Sequence, residues 1–188
     1  MKKLPHFILL LFLIIFVSCG SEMPNDKQVQ IVDDGTYFKN QMLMAVHNAE
    51  DKMHKSTQLD PKIAGEALQA YSEYIGFYPD DSLAPDFLFK SAEIETAIQR
   101  FPQAYSHYKS IAEKYPKYKL VVESLFLEAS ILDNYLNEDD KAKLVYEDLI
   151  KKYPDSPYAN DAKAAIKNLG KSDAELIKEF QKKNGEKN

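Results

Sequence analysis

Residues 142–154 read AKLVYEDLIKKYP, and the same pattern occurs earlier in the chain as ALQAYSEYIGFYP (67–79) and AYSHYKSIAEKYP (104–116). The closing prolines are separated by 37 and 38 residues, so the chain contains an internal repeat. The positions that agree in all three copies are an alanine (Ala67, Ala104, Ala142), a tyrosine (Tyr71, Tyr108, Tyr146), a bulky apolar residue (Tyr74, Ile111, Leu149) and the proline (Pro79, Pro116, Pro154).

The repeated pattern is that of an α-helix with one buried face. Alanine, the ring four residues later and the apolar residue three further on lie on one stripe of a helix. The small alanine lets a neighbouring helix approach closely, and burial of the ring beside it contributes roughly 1.5 to 3 kcal/mol. The proline ends the helix. Between Thr36 and Gly170 the only glycines are Gly65 and Gly76, which argues against a β domain and predicts an all-α fold.

The spacing of alanine, aromatic, apolar residue and proline resembles the second helix of a tetratricopeptide repeat over roughly residues 37–169. This resemblance implies a right-handed superhelical stack of antiparallel helix pairs, a TPR-like α-solenoid with three repeats and a capping helix. The long loops that follow each proline are similar to those of the BamD family of outer-membrane assembly lipoproteins. The first helices of the repeats depart from the family pattern, since Glu95 and Asp133 stand where an aromatic residue is usual.

Helical periodicity also predicts elements outside the three copies. An apolar stripe through Phe38, Met42, Ala45, Ala49 and Met53 predicts the first helix. A seventh helix, ending at Gly170, should cover the apolar face that the last repeat leaves open. Ser172 and Glu175 have the spacing of a capping box that opens a short amphipathic helix. We expect that helix to pack back on the stack. The alternative is that it binds a partner protein.

The amino terminus predicts lipidation. Lys2 and Lys3 precede an apolar run of about eleven residues, which is the length of a signal peptide and too short to span a bilayer. The run closes on Phe16-Val17-Ser18-Cys19, which resembles the lipobox of bacterial lipoproteins and implies acylation of Cys19, for example with palmitate. The alternative is a chance cysteine in a signal anchor. The predicted organisation is a signal peptide (1–18), a lipidated cysteine and flexible tether (19–35), the TPR-like domain (36–170) and a short helix with a polar tail (171–188).

Composition excludes several classes of function. The net charge of -5 argues against nucleic-acid binding, which needs a basic surface. Cys19 is the only cysteine, so its acylation would leave no thiol for disulfides, zinc ligation or catalysis. Gly-rich phosphate loops and nucleophile elbows are absent, and we expect no catalysis, cofactor or small-molecule substrate. A metal site at His47, Asp51 and His54 is a minor hypothesis, because three ligands on one helix need help from another segment.

The resemblance implies a function in protein binding. In tetratricopeptide-repeat proteins the first helices line a concave groove that takes peptides or helices. The basic clamp that some relatives use for carboxyl-terminal tails is missing. We therefore expect a non-enzymatic, lipid-anchored scaffold for envelope proteins or peptides at the periplasmic face of the outer membrane, with outer-membrane protein assembly as the suggested process. A peptidoglycan-associated factor that regulates a cell-wall enzyme is the alternative. The residues expected to line the groove are Phe89, Glu93, Leu127, Ile131, Asn134 and Tyr135.

Overall fold

The computed structural model describes residues 35–56 and 58–185, and every regular element within these ranges is an α-helix. The predicted signal peptide, Cys19 and nearly all of the tether lie outside the described residues. In chain order the helices are α1 (Thr36–Lys55), α2 (Pro61–Phe77), α3 (Ala84–Ala97), α4 (Phe101–Lys114), α5 (Val121–Asn134), α6 (Asp139–Lys152), α7 (Pro157–Asn168) and α8 (Asp173–Gly185).

The helices from α1 to α7 form one sequential stack. Each of them packs against its neighbours in the chain, and α7 also contacts α5. Short connections turn the chain back after each helix, so α1–α2, α3–α4 and α5–α6 are three hairpin pairs with α7 following them. This arrangement is a TPR-like α-solenoid, and the predicted all-α fold class is confirmed.

The ends of the helices follow from local sequence. The Asp60 carboxylate accepts a hydrogen bond from the backbone amide of Lys62 at 2.7 Å and caps α2, whose first residue is a proline. Ser156 caps α7 in the same way. The second helix of each pair ends two residues before its proline, because the residue that precedes a proline is disfavoured in the helical region.

The repeated alanines and tyrosines form the interior seams of the stack. Ala67, Ala104 and Ala142 are completely buried, and the tyrosines four residues later are no more than 2% exposed. Each of these tyrosines lies against a phenylalanine ring of a first helix. The ring pairs are Tyr71 with Phe87 (centroids 5.2 Å apart), Tyr108 with Phe89 (5.5 Å) and Tyr146 with Phe126 (5.6 Å).

The turns inside the second and third pairs share an unusual backbone conformation. Gln99 and Asn137 have φ angles of 61° and 53°, in the left-handed region that residues other than glycine seldom adopt. They are 38 positions apart, which equals the spacing of the second and third copies of the repeat. The two pairs therefore repeat the geometry of their turns as well as their seams.

Glu95, which breaks the aromatic pattern of the first helices, has a structural role. It is 6% exposed, and its Oε2 atom lies 2.8 Å from Nδ1 of His107 on α4. A polar contact between the two helices of the pair thus stands where an aromatic contact is usual. Burial of a carboxylate is tolerated there because it has a specific partner.

Two predictions at the ends of the stack need correction. In α1, Ala49 is buried and Met42 and Met53 pack against the core as predicted, whereas Ala45 is exposed and Phe38 is 42% exposed. Val46, which the predicted stripe did not include, is buried. The capping box before α8 is confirmed by the Glu175 carboxylate, which accepts a hydrogen bond from the Ser172 amide at 2.8 Å. The packing predicted for this helix is seen only in part, because α8 has no substantial interface with the other described helices and Ile177 is 57% exposed, whereas Leu176 is half-buried.

The burial of the seam alanines predicts that a larger side chain at these positions destabilises the protein. Ala104→Leu adds a branched side chain where no space is available, and we expect it to lower the free energy of unfolding by about 1 to 3 kcal/mol. Thermal and urea denaturation followed by circular dichroism measure the change. Ala164→Leu is the matched control, because Ala164 is exposed on α7, and its effect should stay within about 0.5 kcal/mol. Equal effects of the two substitutions would contradict the assignment of Ala104 to a close contact between helices.

Candidate partner-binding groove

The first helices of the pairs, together with α7, carry charged and aromatic side chains that influence one another across the stack. Glu50 lies on α1, Glu93 on α3, Glu123 on α5 and Tyr158 on α7. Glu50 is bonded to a lysine of α3, and Glu123 raises the pKa of both Glu93 and Tyr158. We call the surface formed by these four helices the first-helix face.

A cleft of about 440 Å³ opens on this face between α1 and α3. Met53, Leu59 and Ile94 supply apolar walls, and Tyr71 of α2 contributes its ring. Glu50, Lys90 and Glu93 supply charged groups to the same cleft. A concave site with apolar walls and a few charged groups is the usual form of a recognition pocket.

Glu50 is held by two donors from neighbouring helices. Its Oε1 atom accepts hydrogen bonds from the Tyr71 hydroxyl at 2.8 Å and from the Lys90 ammonium at 2.6 Å. Burial raises the pKa of Glu50, but these hydrogen bonds outweigh it and the pKa lies below its usual value. The Lys90 ammonium also lies 5.7 Å from the centre of the Phe87 ring. The charge of Lys90 is therefore compensated within the fold.

Glu93 is in the opposite situation. Burial raises its pKa first, and the neighbouring carboxylate of Glu123 raises it further, while Lys90 opposes both effects. Neither Glu93 nor Glu123 takes part in an ion pair within the described residues. The middle of the first-helix face thus presents two carboxylates that repel each other.

Two of the residues predicted to line the groove were wrong. Phe89 is 7% exposed and Ile131 is 3% exposed, and both belong to the apolar cluster around Tyr108 and Ile111. Phe89 packs edge-on against the Tyr108 ring, and Ile131 joins α5 to the preceding pair. Both side chains are therefore buried against the adjacent second helix and are not accessible to a partner.

The other four predicted groove residues keep accessible surface. Glu93 and Asn134 are exposed, and Leu127 is half-buried at the edge of the same cluster. Tyr135 is 50% exposed and stacks on Phe101 of α4, with ring centroids 4.0 Å apart. One face of the Tyr135 ring is thus committed to the fold. The role of these four residues in binding stays a prediction.

The sequence interpretation missed Glu50, Lys90 and Glu123 as members of this face. Helical periodicity gave a signal for two of them, since Glu123 precedes Leu127 by four residues and Lys90 precedes Glu93 by three. No local pattern indicates the bond between Glu50 and Lys90, because the two residues are separated by 40 positions.

The histidines of α1 do not assemble a metal centre with their neighbours. His47 Nε2 lies 3.7 Å from Asp51 Oδ2, as an exposed pair one turn apart. His54 lies at the α1–α3 cleft. Over residues 35–56 and 58–185 no group of three or more histidine, cysteine or acidic side chains has the geometry to hold a metal ion.

In the part of the chain that the structure describes, no helix combines the length and apolar character needed to cross a bilayer.

A buried carboxyl group lies away from the first-helix face. Glu128 of α5 is 5% exposed, with Lys109 and Glu113 of α4 on one side and Asp148 and Lys152 of α6 on the other. Burial is the main cause that raises the pKa of Glu128 to about 7, and the two lysines only partly oppose it. The folded state therefore disfavours the ionised form of this residue.

Comparison with known families agrees with this architecture. The tetratricopeptide repeat family matches residues 86–118 and 123–156, which correspond to the second and third helix pairs. The matched segments thus contain Glu93, Glu123 and the seam residues of two pairs. No curated protein matches the chain in sequence. The chain is similar to tetratricopeptide-repeat proteins over these two repeats, a class that binds other proteins.

The raised pKa of Glu128 predicts that the stability of the protein depends on pH. Its pKa is about 7 in the folded state and 4.5 in the unfolded chain, so folding is penalised increasingly as pH rises from 4.5 through 7. Glu128→Gln removes the penalty, and we expect it to stabilise the protein by about 2 to 3 kcal/mol at pH 8 and by less than about 1 kcal/mol at pH 5. Urea denaturation at both pH values measures the difference.

The control for this experiment is Glu147→Gln, an exposed carboxylate on α6. It should change stability little at either pH. A Glu128→Gln effect that is the same at pH 5 and pH 8 would show that the carboxyl group is not held neutral by its surroundings.

Proposed function

We propose that this protein is a lipid-anchored scaffold that binds protein partners of the bacterial envelope through its first-helix face. The observation that carries the proposal is the match of two helix pairs to the tetratricopeptide repeat, combined with an accessible cleft on that face. Helix stacks of this kind use the surface of their first helices to hold extended or helical segments of other proteins.

The chemistry of the face supports a protein partner. The α1–α3 cleft offers apolar walls for side chains. The exposed Asn134, whose Nδ2 donates to Ser130 within α5, offers its Oδ1 atom as a hydrogen-bond acceptor. A surface that mixes apolar, aromatic and charged groups over several helices suits a polypeptide segment. The acidic character of the chain disfavours nucleic acid.

The lipid anchor is supported by the amino-terminal sequence alone. The basic start, the short apolar run and the small residue before Cys19 together favour acylation of that cysteine. The residues that follow, up to about Gly35, are polar and would serve as a tether between lipid and domain. The residue after the cysteine is Gly20 and not an aspartate, which would favour retention at the inner membrane. We therefore propose that the protein is located at the outer membrane, facing the periplasm. Outer-membrane protein assembly is the process that we propose for it.

Site-specific photo-crosslinking tests the binding face. A photoreactive amino acid at Asn134 should capture one or a few defined envelope proteins in native cells, which mass spectrometry identifies. The same probe at Lys143, an exposed position on α6, serves as the control and should capture them much less. Equal capture at the two positions, or none at Asn134, would refute the proposed face. Cosedimentation of the protein with purified peptidoglycan would favour the cell-wall alternative.

Metabolic labelling tests the anchor. Cells given an alkyne-tagged palmitate should incorporate the tag into the wild-type protein, whereas Cys19→Ser should lose the label and leave the membrane fraction. A Ser18→Ala variant keeps both the cysteine and a small residue before it, and should retain the label. Unlabelled wild-type protein would exclude the anchor without bearing on the first-helix face.

A further inference from the structure

The first-helix face has an excess of negative charge once its internal pairs are taken into account. Lys90 is bonded to Glu50 at 2.6 Å, and Lys119 is paired with Asp86 at 3.0 Å. The charges of Lys90 and Lys119 are therefore compensated by carboxylates of the fold, whereas Lys55 at the end of α1 and two lysines of α7, Lys163 and Lys167, form no ion pair within the described residues. Glu93 on α3 and Glu123 on α5 form no ion pair within the described residues, and they are close enough for Glu123 to act on the carboxyl group of Glu93.

The surroundings of Glu93 match the shape of a basic side chain. Glu93 shares the α1–α3 cleft with Met53 and Ile94, whose apolar walls lie beside the carboxylate. Lysine and arginine carry an apolar stem that ends in a cation, so they can bury the stem on such walls while the charged end reaches the carboxylate. An acidic or purely apolar side chain would leave the charge of Glu93 unmatched.

Tyrosine rings reinforce the preference for a cation. Glu93 and Glu123 both act on the hydroxyl groups of Tyr108 and Tyr118, whose pKa values burial already raises. Glu123 acts in addition on Tyr158 of α7. Tyr108 is buried, but Tyr118 and Tyr158 are half-buried, and an accessible electron-rich ring near a carboxylate is a favourable environment for ammonium and guanidinium groups.

The repulsion between Glu93 and Glu123 supplies a further argument. The two carboxylates repel each other, and this repulsion contributes to the raised pKa of Glu93. A bound cation would remove this repulsion, so part of the unfavourable energy present in the free protein would be recovered on binding. The same charges would repel an acidic peptide or a free carboxyl terminus.

We infer that the segment bound by the first-helix face is basic, with a lysine or arginine side chain inserted into the α1–α3 cleft against Glu93 and a second cation next to Glu123. This inference rests on the proposed function and specifies the partner's chemistry. It predicts an attraction that weakens as salt is added, because the groups on the protein are partly exposed.

Peptide selection tests this inference. The full-length chain in detergent is used to select from a random pool of displayed dodecapeptides, and a selected peptide is synthesised with a fluorescent label. We expect the selected peptides to be enriched in lysine and arginine. Fluorescence anisotropy should show that the double variant Glu93→Gln, Glu123→Gln binds about tenfold more weakly than the wild type. It should also show a smaller dependence on salt.

The matched control is again Glu147→Gln, which removes one carboxylate from the exposed surface of α6 and should leave the affinity unchanged. Circular dichroism checks that the double variant remains folded. Selected peptides without lysine or arginine enrichment, or an unchanged affinity in the double variant, would overturn the inference. If photo-crosslinking at Asn134 still captures envelope proteins in that case, the scaffold function stands and only the basic partner is excluded. Failure to select any peptide, together with the absence of a crosslink at Asn134, would contradict both the basic partner and the scaffold function.

Discussion

The close approach of helices at Ala67, Ala104 and Ala142 is the constraint on which the rest of the structure depends. Each of these residues is completely buried, so the helix that faces it lies against backbone and a single methyl group. The tyrosine one turn later then fills the space beside the contact and meets a phenylalanine of a first helix. Tyr71 meets Phe87 of the following pair, whereas Tyr108 and Tyr146 meet the first helix of their own pair. The buried alanine recurs in all three pairs, and this close packing brings α1, α3, α5 and α7 to one face.

This constraint acts mainly on the second helices and leaves the first helices freer to vary. The seam fixes three positions in each of α2, α4 and α6 and the proline that follows each of these helices, whereas the first helices must only supply a ring and fit between neighbours. That freedom is visible in Glu95, which contacts His107 where an aromatic residue is usual, and in Glu50, which bonds Lys90 of the next pair. Polar contacts that differ from one pair of this chain to the next are therefore found on the first helices.

The fold could be predicted further than the site because its signals are local. The seam residues and helix ends recur at fixed spacing, and Ser172 with Glu175 form a capping box within four residues. The burial of Phe89 and Ile131 could not be predicted from local spacing, because it depends on the distance between each first helix and the adjacent second helix. The exposure of Ile177 on α8 likewise reflects the absence of a packing surface beyond α7, which an amphipathic pattern does not reveal.

Glu93 and Glu128 show how position in the stack gives the same residue type different consequences. Both have a raised pKa because of burial, and both lie on first helices. Glu128 is enclosed between α4 and α6, so no external group can reach it and the fold responds by favouring the protonated form. Glu93 is exposed at a cleft beside Glu123, where an external cation can reach it. The unfavourable charge of Glu128 is thus a cost to stability alone, whereas that of Glu93 can be relieved by a binding partner.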